Sequence, residues 1–146
     1  MGKSIYSIVF LLTCLLQAPG LAGDDEGPLD IIVVANKSVP RDRITLEELR
    51  DIFLRNKTRW GLNIKAVPIH APARSQLRDL FTTKVLGMSP NAERLFFEKQ
   101  KIQGGHAMPS AFPNTQKAVY SVKGSIGYVF RENHLSRVNK VLLVVR

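Results

Sequence analysis

Apolar positions along this chain follow two patterns, short unbroken runs and longer stretches in which they recur every three or four residues. Residues 29–35, Leu-Asp-Ile-Ile-Val-Val-Ala, are nearly continuous and rich in β-branched side chains, as expected of a strand buried on both faces of a sheet. Asn36, Lys37, Ser38 and Pro40 close that run with turn residues. A helix is predicted next: Thr45 and Glu48 form a capping box, Ile44 and Leu49 stand at staple positions, and Leu46, Leu49, Ile52 and Phe53 make one apolar face. A basic loop over 55–61 follows and carries the only tryptophan, Trp60, which either stacks a ligand or pins the loop to the core, the commoner role.

A short strand over 66–69 leads through His70-Ala71-Pro72-Ala73 into a helix over 75–86, with Leu77, Leu80, Phe81 and Val85 on or near one face and Gly87 as its cap. Ser89 and Pro90 open another helix reaching about residue 101, with Leu95 and Phe96 expected to face inward. Residues 103–113, rich in glycine and proline, read as a loop. A short helix from Asn114 or Thr115 to Val122, a strand over 125–130 and a strand over 141–145 complete the chain. Strands separated by helical segments imply crossover connections. The expected fold is therefore α/β, three layers in the order α/β/α, with a mostly parallel sheet of about four strands.

The N-terminus changes this picture only at its edge. Lys3, an apolar run over 5–16 and small residues at Gly20 and Ala22 match a secretory signal peptide, with cleavage expected after Ala22 or Gly23. The run is too short to span a membrane, which takes ~20 apolar residues, so no transmembrane segment is expected in the mature chain. The expected organisation is a signal peptide at 1–22, a flexible leader at 23–29 and a single globular unit over 30–146, placed in the periplasm or secreted. The one cysteine, Cys14, lies inside the predicted signal peptide. Thr13 before it is a poor match to a lipoprotein box, so lipidation is disfavoured, and the mature chain has no thiol for a nucleophile or metal site. Asn36-Lys37-Ser38 and Asn56-Lys57-Thr58 match the glycosylation sequon, which matters only on a eukaryotic secretory route.

The chain carries 21 lysines and arginines against 12 acidic residues, a formal charge of +9. That surplus attracts anions without choosing among them. Export makes nucleic acid an unexpected partner. His70, His106 and His134 have no second histidine at metal-ligand spacing and read as surface or turn residues. No paired carboxylates, triad order or metal spacing points to catalysis. Neither an enzyme nor a cofactor is expected.

Candidate chemistry concentrates where the strand over 66–69 meets the helix from Ser75. The carboxyl end of a strand followed at once by a helix N-terminus collects unpaired N–H groups and the positive end of a helix dipole. Arg74, Ser75 and Gln76 stand there, and Lys37 and Ser38 at the end of the first strand are a second half of the same candidate anion site. At a single strand end, however, Asn36 and Ser38 more commonly just satisfy the turn backbone.

Residues 44–54, the basic turn with Trp60, the strand ending at His70 and the late Gly-Ser-Ile-Gly-Tyr-Val of 124–129 occur in an order that resembles the phosphate-binding proteins of bacterial ABC importers, members of the type 2 periplasmic binding protein fold. The resemblance covers about 31–130 and implies one lobe of a two-lobed clamshell that closes on phosphate; this chain has about half the length of the whole. The family's anion loop reads Arg-Ser-Asp-Gly-Ser-Gly-Thr. Aligned on His70 and Phe81, Ala71 replaces the family's arginine, Ser75 keeps its serine, and Gln76 and Leu77 replace glycine and threonine. Arg74 and Arg78 either restore the lost charge from the first helical turns or are solvated surface residues. The resemblance thus implies an exported, non-catalytic solute-binding module that holds phosphate or a related oxyanion weakly. The alternative is an envelope interaction protein that associates with itself or another protein through the face a second lobe would cover.

Overall fold

The computed structural model describes residues 29–146. The predicted signal peptide, Cys14 and all but the last residue of the predicted leader lie outside them. Four strands form one sheet: β1 (Ile31–Ala35), β2 (Val67–Pro68), β3 (Ser125–Phe130) and β4 (Lys140–Val145), in the spatial order β2-β3-β1-β4. Four α-helices surround it: α1 (Leu46–Phe53), α2 (Gln76–Phe81), α3 (Pro90–Ile102) and α4 (Thr115–Ser121), and α2 continues into one π-helical stretch, Thr82–Leu86.

The α/β class, the single four-stranded sheet and the helices on both faces agree with the sequence. The strand directions do not. Only β2 and β3 run parallel, whereas β1 is antiparallel to both β3 and β4. A continuous apolar run such as 31–35 fits any strand covered on both faces, whichever way its neighbours point. Here β3 lies between β2 and β1, so the helical connection from β2 to β3 is a crossover between parallel neighbours, whereas that from β1 through α1 to β2 joins strands on either side of β3.

Alternation along β1 supplies two cores. Ile31, Val33 and Ala35 face a cluster with Leu49, Ile52, Phe53, Phe81 and Val85 from α1, α2 and the π-helical stretch. Ile32 and Val34 face Val119 of α4, with Ala118 and Val122 beside it. The predicted caps at Thr45, Ser89 and Asn114 form, and Ser75 caps α2 in the same way: the three hydroxyls and the side-chain oxygen of Asn114 each accept a hydrogen bond from the backbone N–H three residues on. Trp60 is buried and its Nε1 donates to the Gly124 carbonyl at 2.7 Å, the pinning role. The inward face of α3 differs from expectation: Glu93 and Phe97 are buried, Phe96 is only partly covered and Leu95 is half exposed. Glu93 takes the inside position because its charge is met there by residues from other elements.

Candidate functional site

His70 follows β2, and Tyr128 lies beside it on β3. Phe81 stacks on the Tyr128 ring with centroids 3.7 Å apart, and Phe53 packs against both. Tyr128 O–H accepts from the Ala71 N–H at 3.2 Å and lies 2.9 Å from His70 Nδ1. If the phenol donates to Nδ1, the imidazole hydrogen lies on Nε2, which stands 3.1 Å from Glu93 Oε1 and off the ideal hydrogen-bond line. Glu93 Oε1 also accepts from Arg78 Nη2 at 3.1 Å, and Oε2 accepts from Thr82 Oγ1 at 3.0 Å. His70, expected at the surface, is instead fully buried. A lone histidine gives no sequence signal for this, because its partners come from α3 and β3.

Burial lowers the His70 pKa to about 4, against the raising effect of Glu93, so the ring is neutral near pH 7. Burial by itself would raise the Glu93 carboxyl, but the hydrogen bond and charge of His70, the charge of Arg78 and the Thr82 hydrogen bond outweigh it and lower the pKa. Burial raises the Tyr128 phenol well above its ordinary value. Tyr128 is tied to His70 and to the Ala71 backbone, and Glu93 to Arg78 and Thr82, contacts that hold the turn after β2 against α2 and α3.

Two clefts flank that turn. The first, about 210 Å3, is lined by Ala71, Ser75 and Leu77 on one side and by Asn114, Thr115 and Gln116 on the other, with Val129 and Phe130 of β3 among its remaining walls. The capped starts of α2 and α4 thus meet at the carboxyl ends of the parallel pair β2 and β3. None of the residues lining this cleft is charged. The second, about 410 Å3, shares no lining residue with it and is bordered by Arg74, Arg78 and Arg94. Among the described residues, no group of three or more histidine, cysteine, aspartate or glutamate side chains could hold a metal ion, and no helix is long and apolar enough to cross a membrane.

No family model matches the sequence, and no curated protein does. Solved structures do. An ABC-type phosphate transport receptor from Vibrio cholerae superposes with a TM-score of 0.58 at 16% identity, over 78% of this chain and 46% of its own. PstS from Borrelia burgdorferi gives 0.57 at 18% identity, over 78% and 47%. A Clostridium perfringens protein described as a phosphate ABC transporter substrate-binding protein, with bound phosphate, gives 0.58 at 18%, over 78% and 45%. The chain has the fold of one lobe of these proteins. It spans less than half their length, and identities this low establish the fold alone.

The lobe distributes the predicted site residues over three places. Ser75 lines the uncharged cleft, where its Oγ donates to the Pro72 carbonyl at 2.7 Å and caps α2. Gln76 is the first residue of α2. Arg74, in a left-handed backbone conformation with φ 63°, borders the second cleft. Arg78 is buried against Glu93, so its charge is already matched. Lys37 and Ser38 do not join this group. Because β1 runs antiparallel to β3, Ala35 pairs with Ile126 at the start of β3, whereas the Ser75 cleft lies at its end. The two places are separated by the sheet, about 15–20 Å. At its own end Ser38 Oγ accepts from the Gly124 N–H at 2.8 Å, and Asn36 binds the carbonyls of Val119 and Tyr120, the turn-satisfying role.

Proposed function

We propose that this chain is an exported, non-catalytic solute-binding-like lobe that holds phosphate or a related oxyanion weakly at the turn after β2. The observation that carries the reading is the convergence of the N-termini of α2 and α4 on the cleft lined by Ala71, Ser75 and Leu77, the positions where the resembled family has its anion loop. Free N–H groups of the first helical turn and the two helix dipoles favour an anion there. The absence of a lining cation limits affinity. A dissociation constant on the order of 1 mM, equivalent to about 4 kcal/mol, is expected. Solved structures with this fold that are described as phosphate-binding support the ligand class.

Thermal unfolding of the mature protein against rising phosphate at fixed ionic strength, with sulfate and chloride as controls, tests the reading. A saturable rise of several degrees selective for phosphate over chloride is expected as the ligand passes well above its dissociation constant. An identical response to all three salts would remove the assignment. Leu77→Thr restores a hydroxyl at the family's threonine position and should tighten phosphate severalfold, whereas Ser75→Ala should weaken it and also cost about 1 kcal/mol of stability through the lost cap.

A second reading, association with another protein or a second copy, is favoured by an apolar groove of about 380 Å3 where Phe112 and Pro113 meet Ala118 of α4 and Val122 just after it. Phe112 is 41% exposed there. A concentration-dependent increase in mass that Phe112→Ser abolishes would support it. A monomer at every concentration, with a flat phosphate response in the first experiment, would leave neither reading standing.

A further inference from the structure

The second cleft beside the turn carries features that the Ser75 cleft lacks. Arg78 is 7% exposed and three of its nitrogen–partner contacts are made inward: Nη2 to Glu93 Oε1 at 3.1 Å and to Met108 Sδ at 3.4 Å, and Nη1 to the Ala71 carbonyl at 3.4 Å. Its Nε is buried and has no hydrogen-bond partner, although the residue borders a cleft of about 410 Å3. The charge is matched by Glu93, but one N–H of the buried guanidinium is left without a partner. Arg74 borders the same cleft from a left-handed backbone position, φ 63°, that is rarely adopted by residues other than glycine and asparagine. Arg94, on the first turns of α3, completes the cationic rim while bonding Glu98 and Asn91 on its own helix.

Two carboxylates also border the cleft. Both oxygens of Glu93 are engaged by Arg78, His70 and Thr82, so its charge is compensated, and Asp79 is exposed on α2. Arg78 is matched by Glu93 and Arg94 by Glu98 in an exposed pair, which leaves Arg74 as a rim guanidinium with no ion pair among the described residues. The floor between them is apolar, made by Ala73, Pro90 and Met108. A bare, strongly hydrated ion gains little from such a floor, whereas a hydrocarbon body gains from leaving water.

We propose that this cleft is a binding site for a small organic anion, with its carboxylate or phosphate head on Arg74 and Arg94, and its apolar body on Ala73, Pro90 and Met108. The site is independent of the Ser75 cleft and does not rest on the oxyanion reading there.

Benzoate and phenyl phosphate, with inorganic phosphate for comparison, are the probes. They are titrated into mature protein carrying 13C-methyl methionine, because the Met108 methyl reports this cleft and Met88, which packs against the core, serves as internal control. A saturable shift of Met108 but not Met88 with benzoate or phenyl phosphate is expected. Arg94→Ala and Arg74→Gly should each weaken it about tenfold; both side chains are exposed, and glycine suits the left-handed position, so folding is preserved. Gln76→Pro, at the first residue of α2 and outside the lining of this cleft, should leave it unchanged. Benzoate saturating alone assigns a carboxylate head, and phenyl phosphate alone a phosphate ester. No saturation by either organic anion, saturation indifferent to both arginines, or inorganic phosphate binding as tightly as phenyl phosphate would overturn the proposal. Phosphate selectivity lost in Gln76→Pro but kept in Arg74→Gly bears on the Ser75 turn, so the two sites fail separately.

Discussion

Gln76 and Glu93 show how single residues act on the two sides of this lobe. Gln76 is the first residue of α2 and follows Ser75, whose ψ of 147° is the extended backbone a following proline requires. Gln76→Pro therefore removes one free N–H at a position where proline suits a helix start. Isothermal titration should show phosphate binding weakened severalfold, with a melting temperature within a degree or two of the parent. An unchanged affinity would mean that the backbone at this turn does not hold the anion. Glu93 is different in kind, since it matches the charge of Arg78 and bonds Thr82 in the interior. Glu93→Ala leaves that guanidinium buried and uncompensated, and a loss of about 3–5 kcal/mol is expected in urea unfolding. The helix start near Ser75 was legible from sequence because such signals are local; the burial of Glu93 was not, because its neighbours on α3 say nothing of Arg78, which α2 brings to it, or of His70 after β2.

At the scale of elements, α4 is what turns a sheet edge into a cleft. It lies close on β3 because Gly127 has no side chain: a Cβ there would stand 2.6 Å from Thr115 Cγ2 and 2.9 Å from Val119 Cγ2. Gly127→Ala should push α4 outward, cost about 1–3 kcal/mol and lower the melting temperature by several degrees. The phosphate response should weaken with it, since Asn114 to Gln116 form one wall of the cleft. A fully stable Gly127→Ala protein would show that α4 can shift without loss. Helix positions could be read from capping and periodicity, whereas the direction of β3 between β2 and β1 could not, because an apolar strand looks the same read from either partner.

For the molecule as a whole, the buried His70–Glu93 pair sets the behaviour in acid. His70 has a folded pKa of about 4 against an ordinary 6.5, so between those values the unfolded chain takes up a proton that the folded lobe excludes. Stability is full above pH 6.5 and falls as the pH drops towards 4, by about 3 kcal/mol in total. Glu93, whose pKa is also lowered, adds a further loss as the pH falls below the ordinary carboxylate range and through its folded value. The urea midpoint should therefore decline steadily from pH 7 to 4 and steeply below; a midpoint constant from pH 7 to 4 would contradict a buried neutral His70.

The sequence by itself determined the α/β class, the four strands, the helix caps and the turn at Ser75, because propensity, capping and apolar period act over a few neighbouring residues. Tertiary structure alone decided that β1 opposes β3, and with that single reversal Lys37 and Ser38 went to one end of the sheet and Ser75 to the other. It also decided which charges were spent inside. In sequence Arg78 is open between an anion-binding charge and a solvated surface residue, but folding buries it against Glu93 and the thioether of Met108. Such pairings depend on residues far apart in the chain, where only the packed fold brings charge and counter-charge within reach.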